Sequence, residues 1–314
     1  MQSTKAFFEL CSHIGSHTPN WVQGAGGNVS QKYEKNGVRV LRIKASGYRL
    51  DKVTPNEGFV DLEYKSTSEA IAGLEKRSDR DTAYAKLLSD GLLFRAKEGN
   101  RASMETCFHL CIDAPLVAHF HSLAAVLLAD GYFSKDPKVM RFLKYEKDLK
   151  ITFIDFYKPG LDLAYELAAA PQSQVYILKN HGVILALQNA KQISIWKKWE
   201  AKIAEEFGWQ RPLQSDAGDN VLYHPLKVYF PDTAVYLKDL MNNLENKTGQ
   251  QKVYRLKNGS STDANTKELW EATLRLHRAK PSLVEVPEPL WAEIAGMPAE
   301  QFRKTLNAQN EGKI

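Results

Sequence analysis

The stretch LVAHFHSLAAVLL, residues 116–128, decides the fold of this chain. A short apolar run that ends in His119-Phe120-His121 and continues into helix-forming residues predicts a buried strand that leads directly into a helix. Side chains two residues apart on a strand point to the same face, so the two imidazoles can converge as a divalent cation requires. The alternative is a polar pair that faces solvent at a strand end. The apolar flanks weigh against it, because unpaired imidazoles at a buried edge of the sheet are costly.

A third histidine interrupts another apolar segment. Residues 175–187, VYILKNHGVILAL, predict a strand, a tight turn around His181 and Gly182, and a second strand. A hairpin turn accounts for Asn180 and Gly182, since both residue types favour turns. It gives no structural reason for the histidine, whereas a metal site does. On this segment alone, both interpretations stay open.

The rest of the first two hundred residues alternates between predicted helices and strands. Helices are predicted over residues 3–14, 79–89, 103–112 and 189–207, and strands over 38–43, 58–62 and 150–156. A loop rich in glycine and asparagine is expected between the first helix and the first of these strands.

Beyond about Gln214 the character of the chain changes. The polar stretches SDAGDN, NNLENKTGQQK and KNGSSTDANTK break it into short pieces, while residues 269–277 and 298–306 predict helices. Pro298 suits the first turn of the second helix. We therefore divide the chain into an α/β catalytic domain at 1–212 and a mostly helical C-terminal extension at 213–314, whose role is unknown.

Composition excludes several classes of protein. With 43% hydrophobic and 25% charged residues, the chain is neither disordered nor fibrous. No run approaches the roughly 18 to 20 apolar residues that cross a bilayer, so no membrane partner is expected. A net charge of +5 is too small to indicate nucleic acid, and we interpret the basic run from Lys32 to Lys52 as the solvated face of a strand. Three cysteines at no disulfide spacing favour a reducing, cytoplasmic location.

Other polar groups can complete a site around the histidines. Glu105 lies in the first turn of a predicted helix, where most carboxylates act as caps or dipole partners. The glycine-rich segment at 23–30 and the turn Lys44-Ala45-Ser46-Gly47 offer backbone amides and a hydroxyl that, with Ser103, would make a phosphate cradle. Singly, each is an ordinary turn. The glycine-rich segment follows a helix and lacks both the dinucleotide-binding and the Walker patterns, which excludes those two functions.

Taken in order, GGNVS at 26–30, KASG at 44–47, SME at 103–105, HFHS at 119–122 and NHG at 180–182 resemble the class II aldolase/adducin family of metal-dependent sugar-phosphate aldolases. The resemblance implies a three-layer α/β/α fold around a central, mostly antiparallel sheet, and a homotetramer with active sites between subunits. It assigns a divalent metal, usually Zn²⁺, to His119, His121 and His181, and an acid/base role with possible metal contact to Glu105. It also assigns phosphate contacts to Gly27, Asn28, Ser46, Gly47 and Ser103.

The function implied by the resemblance is that of a lyase in carbohydrate metabolism. Such an enzyme cleaves a carbon–carbon bond of a phosphorylated or otherwise anionic ketose by a retro-aldol reaction through a metal-stabilised enediolate. The same constellation also serves epimerases, dehydratases and decarboxylases, and an adducin-like interaction domain keeps the fold without catalysis. The presence of all three histidines and the glutamate favours an enzyme. Two departures stand out: Met104 replaces a second serine, and Lys44-Ala45 replaces Thr-Pro of the small aldolases.

Overall fold

The computed structural model describes residues 4–145, 149–214, 221–222, 226–247, 253–256 and 263–310. Residues 215–220, 248–252 and 257–262, which make up all or part of the three polar stretches, lie outside the described residues. The strands are β1 (Asn28–Lys35), β2 (Val38–Lys44), β3 (Phe59–Glu63), β4 (Leu92–Arg95), β5 (Leu116–Phe120), β6 (Ile151–Ile154), β7 (Val175–Leu178), β8 (Gly182–Leu187), β9 (Val221–Leu222), β10 (Leu244–Lys247) and β11 (Val253–Leu256). The helices are α1 (Lys5–Gly15), α2 (Tyr64–Ala72), α3 (Arg80–Asp90), α4 (Thr106–Cys111), α5 (Leu123–Phe133), α6 (Pro137–Tyr145), α7 (Leu161–Ala169), α8 (Ile193–Glu206), α9 (Gln210–Gln214), α10 (Pro231–Val235), α11 (Leu237–Asn243), α12 (Ala264–Ala279), α13 (Glu288–Gly296) and α14 (Pro298–Asn310).

Eight strands form one sheet in the order β4-β3-β2-β1-β5-β8-β7-β6. Neighbouring strands are antiparallel except β6 and β7, which run parallel. β5, which carries His119, pairs with β1 on one side and β8 on the other. The histidine pair therefore lies at the end of a central strand.

Alternation along the central strands separates two helix layers. In β8, Val183 and Leu185 join the apolar cluster on one face of the sheet, whereas Ile184 joins the cluster on the other face. Residues of α1, α5 and α8 belong to the first cluster, and residues of α2, α3, α4 and α7 belong to the second. The alternation along the strands places apolar side chains on both faces of the sheet, and helices cover each face. The predicted three-layer α/β/α fold around a mostly antiparallel sheet is confirmed.

Two strands of the eight-stranded sheet, β1 and β4, were not predicted, and neither was the small sheet of β9, β10 and β11 in the C-terminal region. β1 occupies residues that were expected to continue the glycine- and asparagine-rich loop. Its sequence, NVSQKYEK, is mostly polar, yet its first four residues are buried. The Ser30 hydroxyl is 2.8 Å from Nδ1 of His109, and Gln31 accepts a hydrogen bond from the amide of Phe7 at 3.2 Å. These hydrogen bonds allow polar residues to be buried in the strand. The sequence of β1 therefore lacks the alternation of apolar and polar residues by which a strand is recognised.

The C-terminal region packs on the first helix layer. Leu269 and Trp270 of α12 belong to the same apolar cluster as residues of α1, α5 and α8. Arg49 Nη2 lies 2.8 Å from Glu268 Oε1, which joins the region to the loop after β2. The helices predicted over 269–277 and 298–306 are confirmed as parts of α12 and α14. The division into two domains near residue 212 stays a prediction.

Within the described ranges, every helix is too short or too polar to span a bilayer. Cys11, Cys107 and Cys111 are free thiols, and the first two are buried. Cys107 is a core residue of the second cluster. The reducing, cytoplasmic location stays a prediction.

A largely buried carboxylate links α8 to the beginning of α5. Glu200 accepts hydrogen bonds from Nε1 of Trp21 at 2.5 Å and from the hydroxyl of Ser122 at 3.0 Å. Ser122 in turn caps α5 by accepting from the amide of Ala125. Burial raises the pKa of Glu200 to about 7, although both hydrogen bonds act to lower it.

We expect Glu200 to make the protein less stable as the pH rises from about 4.5 to about 7. Over this range the folded protein keeps the proton and the unfolded chain releases it, so the free energy of unfolding falls, by roughly 2–3 kcal/mol at the upper end. In Glu200→Gln this part of the pH dependence should be absent. Denaturant unfolding of both proteins across this range measures the difference. Identical pH dependences would refute the prediction.

Candidate active site

The three histidines singled out in the sequence converge at one end of the central strands. His119 lies in β5, His121 follows that strand directly, and His181 lies in the turn between β7 and β8. The ring centroids of His119 and His181 are 4.8 Å apart, and the ring of His121 is 5.2 Å and 5.3 Å from these two. One ligand nitrogen from each ring lies within 4.8 Å of the others, and all three residues are buried. This group can hold a single metal ion.

Backbone geometry fixes the turn that carries His181. Asn180 has a φ of 50°, and its side-chain amide donates to the carbonyl oxygen of Val284 at 2.8 Å. Gly182 follows with a φ of 152°, and a Cβ atom there would lie 2.3 Å from the carbonyl oxygen of Phe120. Glycine therefore allows β8 to approach the end of β5 closely enough to bring the third imidazole beside the other two.

The donor set fits a divalent metal. His119 donates from Nδ1 to the carbonyl oxygen of Val183 at 3.0 Å, and its buried Nε2 has no hydrogen-bond partner. A buried nitrogen without a partner is costly unless it coordinates an ion. Burial lowers the pKa of His119 well below its ordinary value, although Glu105 acts to raise it. The ring is therefore neutral, as a ligand must be, and three neutral imidazoles are an established set of zinc ligands.

Glu105 faces the histidines instead of capping its helix. It is the N-cap residue of α4, yet its side chain accepts no capping hydrogen bond. Its Oε1 lies 3.3 Å from Nε2 of His181 and 3.6 Å from Nε2 of His119. By contrast, Glu63 at the N-cap of α2 accepts hydrogen bonds from the backbone amides of Lys65 and Ser66. The capping interpretation therefore describes Glu63 and not Glu105.

The protonation state of Glu105 follows from its neighbours. Burial acts to raise the pKa of Glu105, but the imidazoles of His119 and His181 lower it more strongly, so the pKa lies below its ordinary value. Oε2 also accepts a hydrogen bond from Nδ2 of Asn28 at 2.6 Å. The carboxylate is thus ionised at neutral pH and is held with Oε1 toward the histidines.

Two of the residues assigned to phosphate binding contact Glu105. Asn28 lies opposite His119 in the ladder between β1 and β5, so the two side chains share one face of the sheet. The hydroxyl of Ser103 accepts a hydrogen bond from the backbone amide of Glu105 at 3.3 Å. The structure therefore brings Asn28, Ser103 and Glu105 together, and the role of the first two in phosphate binding stays a prediction.

The other three residues lie on the adjoining loops. The amide of Ser46 donates to the carbonyl oxygen of Arg101 at 2.9 Å, and Ala45 and Ala102 form an isolated β-bridge, so the KASG turn lies against the segment that leads to Ser103. Gly27 immediately precedes β1, and Gly47 follows the end of β2. All of these residues are buried, and their contact with phosphate also stays a prediction.

Two charged residues near the site, Asp232 and Arg303, were not singled out in the sequence, and a third, Lys44, was misinterpreted. Asp232 Oδ2 lies 3.0 Å from Nδ1 of His121, and Arg303 contacts the other carboxylate oxygen of Asp232. Neither residue belongs to a motif. Lys44 is 1% exposed and donates to two backbone carbonyls, so the interpretation of the basic run as a solvated face is wrong for this residue. Burial lowers the pKa of Lys44 to about 7.

Comparison with known proteins places the chain in a family. The family model described as the class II aldolase and adducin N-terminal domain matches residues 6–195. The chain therefore belongs to the class II aldolase and adducin family, as its five motifs indicated.

Two relatives show how far the likeness extends. The chain is 29% identical over 191 residues to the L-fuculose phosphate aldolase of Methanocaldococcus jannaschii, which is 57% of this chain and 81% of that protein. It is also similar in structure to the N-terminal class II aldolase domain of a conserved protein from Thermoplasma acidophilum. That match has a TM-score of 0.53 and 23% identity, covers 66% of this chain and 94% of the other, and supports the fold.

Proposed function

We propose that this protein is a metal-dependent lyase that cleaves a carbon–carbon bond of a phosphorylated or otherwise anionic ketose by a retro-aldol reaction. The observation that carries the proposal is the buried group of three histidines with the Glu105 carboxylate 3.3 Å and 3.6 Å from two of them. His119, His121 and His181 would hold the divalent metal, for which zinc is our choice. When bound, such a metal supplies Lewis acidity that polarises the carbonyl of the ketose.

Glu105 is the residue that we assign to proton transfer. In a retro-aldol reaction, a hydroxyl group two carbons from the carbonyl carbon loses its proton and becomes a new carbonyl. The electron pair of the broken bond moves toward the polarised carbonyl, and the carbon beside that carbonyl then gains a proton. An ionised carboxylate fixed by Asn28 at 2.6 Å is suited to both proton transfers.

The substrate class rests on the loops and on one relative. We assign the anion to Gly27, Asn28, Ser46, Gly47 and Ser103, which lie beside Glu105 or on the adjoining turns. The relative from M. jannaschii is named as an aldolase of a sugar phosphate, which agrees with this assignment. A homotetramer is our expectation for the assembly, and sedimentation of the purified protein tests it.

The anion site predicts that Ser46→Ala raises KM more than it lowers kcat. A hydroxyl that contacts phosphate contributes equally in the ground and transition states, so its loss weakens binding, by roughly ten- to a hundredfold for a hydrogen bond to a charged group. Ser46 is a cleaner choice than Asn28, because Asn28 also holds Glu105. Steady-state kinetics with a phosphorylated substrate measures the effect.

Ser173→Ala is the matched control, because Ser173 has the same 8% exposure and lies before β7, at the opposite end of that strand from His181. Inorganic phosphate should compete with the substrate in the control and compete more weakly in Ser46→Ala. Equal KM values and equal inhibition in the two variants would remove Ser46 from the anion site.

A product screen tests the function as a whole. Zinc-loaded protein is incubated with a panel of ketose phosphates, including L-fuculose 1-phosphate, and the products are identified by mass spectrometry. A lyase yields two carbonyl products from one ketose phosphate. An epimerised sugar, loss of water or loss of carbon dioxide would assign the site to another reaction of the same fold. Absence of turnover with the whole panel would favour the adducin-like interaction domain.

A further inference from the structure

One carboxylate of the C-terminal region lies against the histidine group. Asp232 lies in α10, beyond the residues that the family model matches. Its Oδ2 is 3.0 Å from Nδ1 of His121, although the two atoms are not aligned as a hydrogen bond and neither has another hydrogen-bond partner. Each of the two residues is 2% exposed. A charged carboxylate so deeply buried requires partners on both sides.

Arg303 of α14 supplies the second partner of Asp232. Its guanidinium contacts Oδ1 of Asp232 and also lies 2.6 Å from Oε2 of Glu300. Arg303 and His121 thus lie against opposite oxygens of the Asp232 carboxylate.

The glycine-rich loop makes room for this pair. A Cβ atom on Gly26 would lie 2.5 Å from Oδ2 of Asp232 and 3.2 Å from Cε1 of His121. The loop is also tied to the C-terminal region, because the amide of Gly24 donates to Glu268 at 2.6 Å. The first glycines of this loop thus pack against the C-terminal region, which gives them a role besides any contact with substrate.

The contacts of His119 indicate what a partner at Nδ1 does for a histidine ligand. His119 gives its Nδ1 proton to the carbonyl of Val183, which fixes the tautomer and leaves Nε2 for an ion. Histidine ligands generally donate their second N–H to a carbonyl or a carboxylate, which orients the ring and makes it a stronger ligand. For His121 the group in that position is the carboxylate of Asp232.

We propose that Asp232, held by Arg303, is a positioning residue for the metal ligand His121. It accepts the Nδ1 proton of His121, fixes that tautomer and leaves Nε2 to the metal. The C-terminal region therefore completes the metal site instead of merely following it. This inference rests on the metal-binding part of the proposed function.

The test is the zinc affinity of Asp232→Asn, measured in the full-length protein by competition with a chelator of known affinity. Loss of such an outer partner weakens metal binding by about 10- to 100-fold. Asp61→Asn is the matched control: Asp61 is also 2% exposed and pairs with an arginine, Arg42, at 2.8 Å. It lies on β3, three strands from β5, and should keep the wild-type zinc affinity while losing stability.

Two further readouts separate positioning from a general structural role. In the zinc-loaded wild type, proton NMR should show a slowly exchanging Nδ1–H resonance of His121 that Asp232→Asn shifts or loses. Asp232→Glu restores a carboxylate and should recover part of the affinity. If Asp232→Asn does not fold, Arg303→Gln is measured instead, with a smaller loss of affinity expected because the carboxylate remains.

The results of these experiments distinguish failure of the inference from failure of the proposed function. Zinc affinity in Asp232→Asn within twofold of the wild type overturns the inference and leaves the proposed function standing. A cobalt spectrum showing that Asp232→Asn has lost a direct ligand also overturns it, because Asp232 would then coordinate the metal itself. Failure of the wild type to bind stoichiometric zinc overturns the proposed function as well.

Discussion

Replacing Glu105 by glutamine is expected to lower turnover at least about a hundredfold while leaving the zinc content nearly unchanged. Glutamine keeps the size of the side chain but cannot accept a proton. The metal is assigned to three imidazoles, so its retention does not depend on this carboxylate. Oε1 of Glu105 lies within 3.3–3.6 Å of two of those imidazoles, so a substrate bound at the metal would lie beside it.

Glu63→Gln is the control for this variant, because Glu63 is also the N-cap residue of a helix and differs in accepting capping hydrogen bonds. It should keep wild-type turnover and lose at most about 1 kcal/mol of stability. Steady-state kinetics and metal analysis of both variants test whether Glu105 is needed for turnover. Wild-type turnover in Glu105→Gln would make Glu105 a dipole partner of α4 and nothing more.

Removing one ligand should have a still larger effect on the metal. Zinc sites in small peptides are worth on the order of 10–16 kcal/mol, so the loss of one ligand in three is expected to weaken binding by about a thousandfold. His181→Ala should therefore lose its zinc to a chelator that the wild type resists, and its turnover should fall to background. The geometry predicts the same for His119→Ala and His121→Ala, since all three ligand atoms lie within 4.8 Å.

His17→Ala is the matched control for the ligand variants, because His17 stacks on Trp21 with a centroid distance of 4.3 Å and does not belong to the group of ligands. It should retain one zinc per chain. Stoichiometric zinc in His181→Ala after the same chelator treatment would show that the three histidines do not form the site.

The histidine group was predictable because polarity changes abruptly in its surroundings. His119 and His121 end an apolar run, and His181 divides one, so each stands out where burial of a polar ring needs a reason. The same contrast located β5, β7 and β8. The sheet order that brings the two segments together was not predicted, since local patterns do not specify which strands pair.

β1, Asp232 and Arg303 were not predicted, because their burial depends on partners that lie far away in the sequence. β1 buries Ser30 and Gln31 through hydrogen bonds to residues far away in the sequence, so its own pattern is that of a loop. Asp232 and Arg303 belong to no motif and are 71 residues apart, and only the packing of the C-terminal helices brings them to the site. Charged pairs that form over such separations leave no periodic signal in the sequence.

The measurement that tests the central claim most directly is the metal dependence of carbon–carbon cleavage. The protein is stripped with a chelator, assayed by NMR with the ketose phosphate that the product screen identifies, and then reloaded with one equivalent of zinc. We predict no cleavage by the stripped protein and, after reloading, two carbonyl products in equal amounts. Cleavage that persists at the wild-type rate in the stripped protein, or that zinc does not restore, would contradict the account.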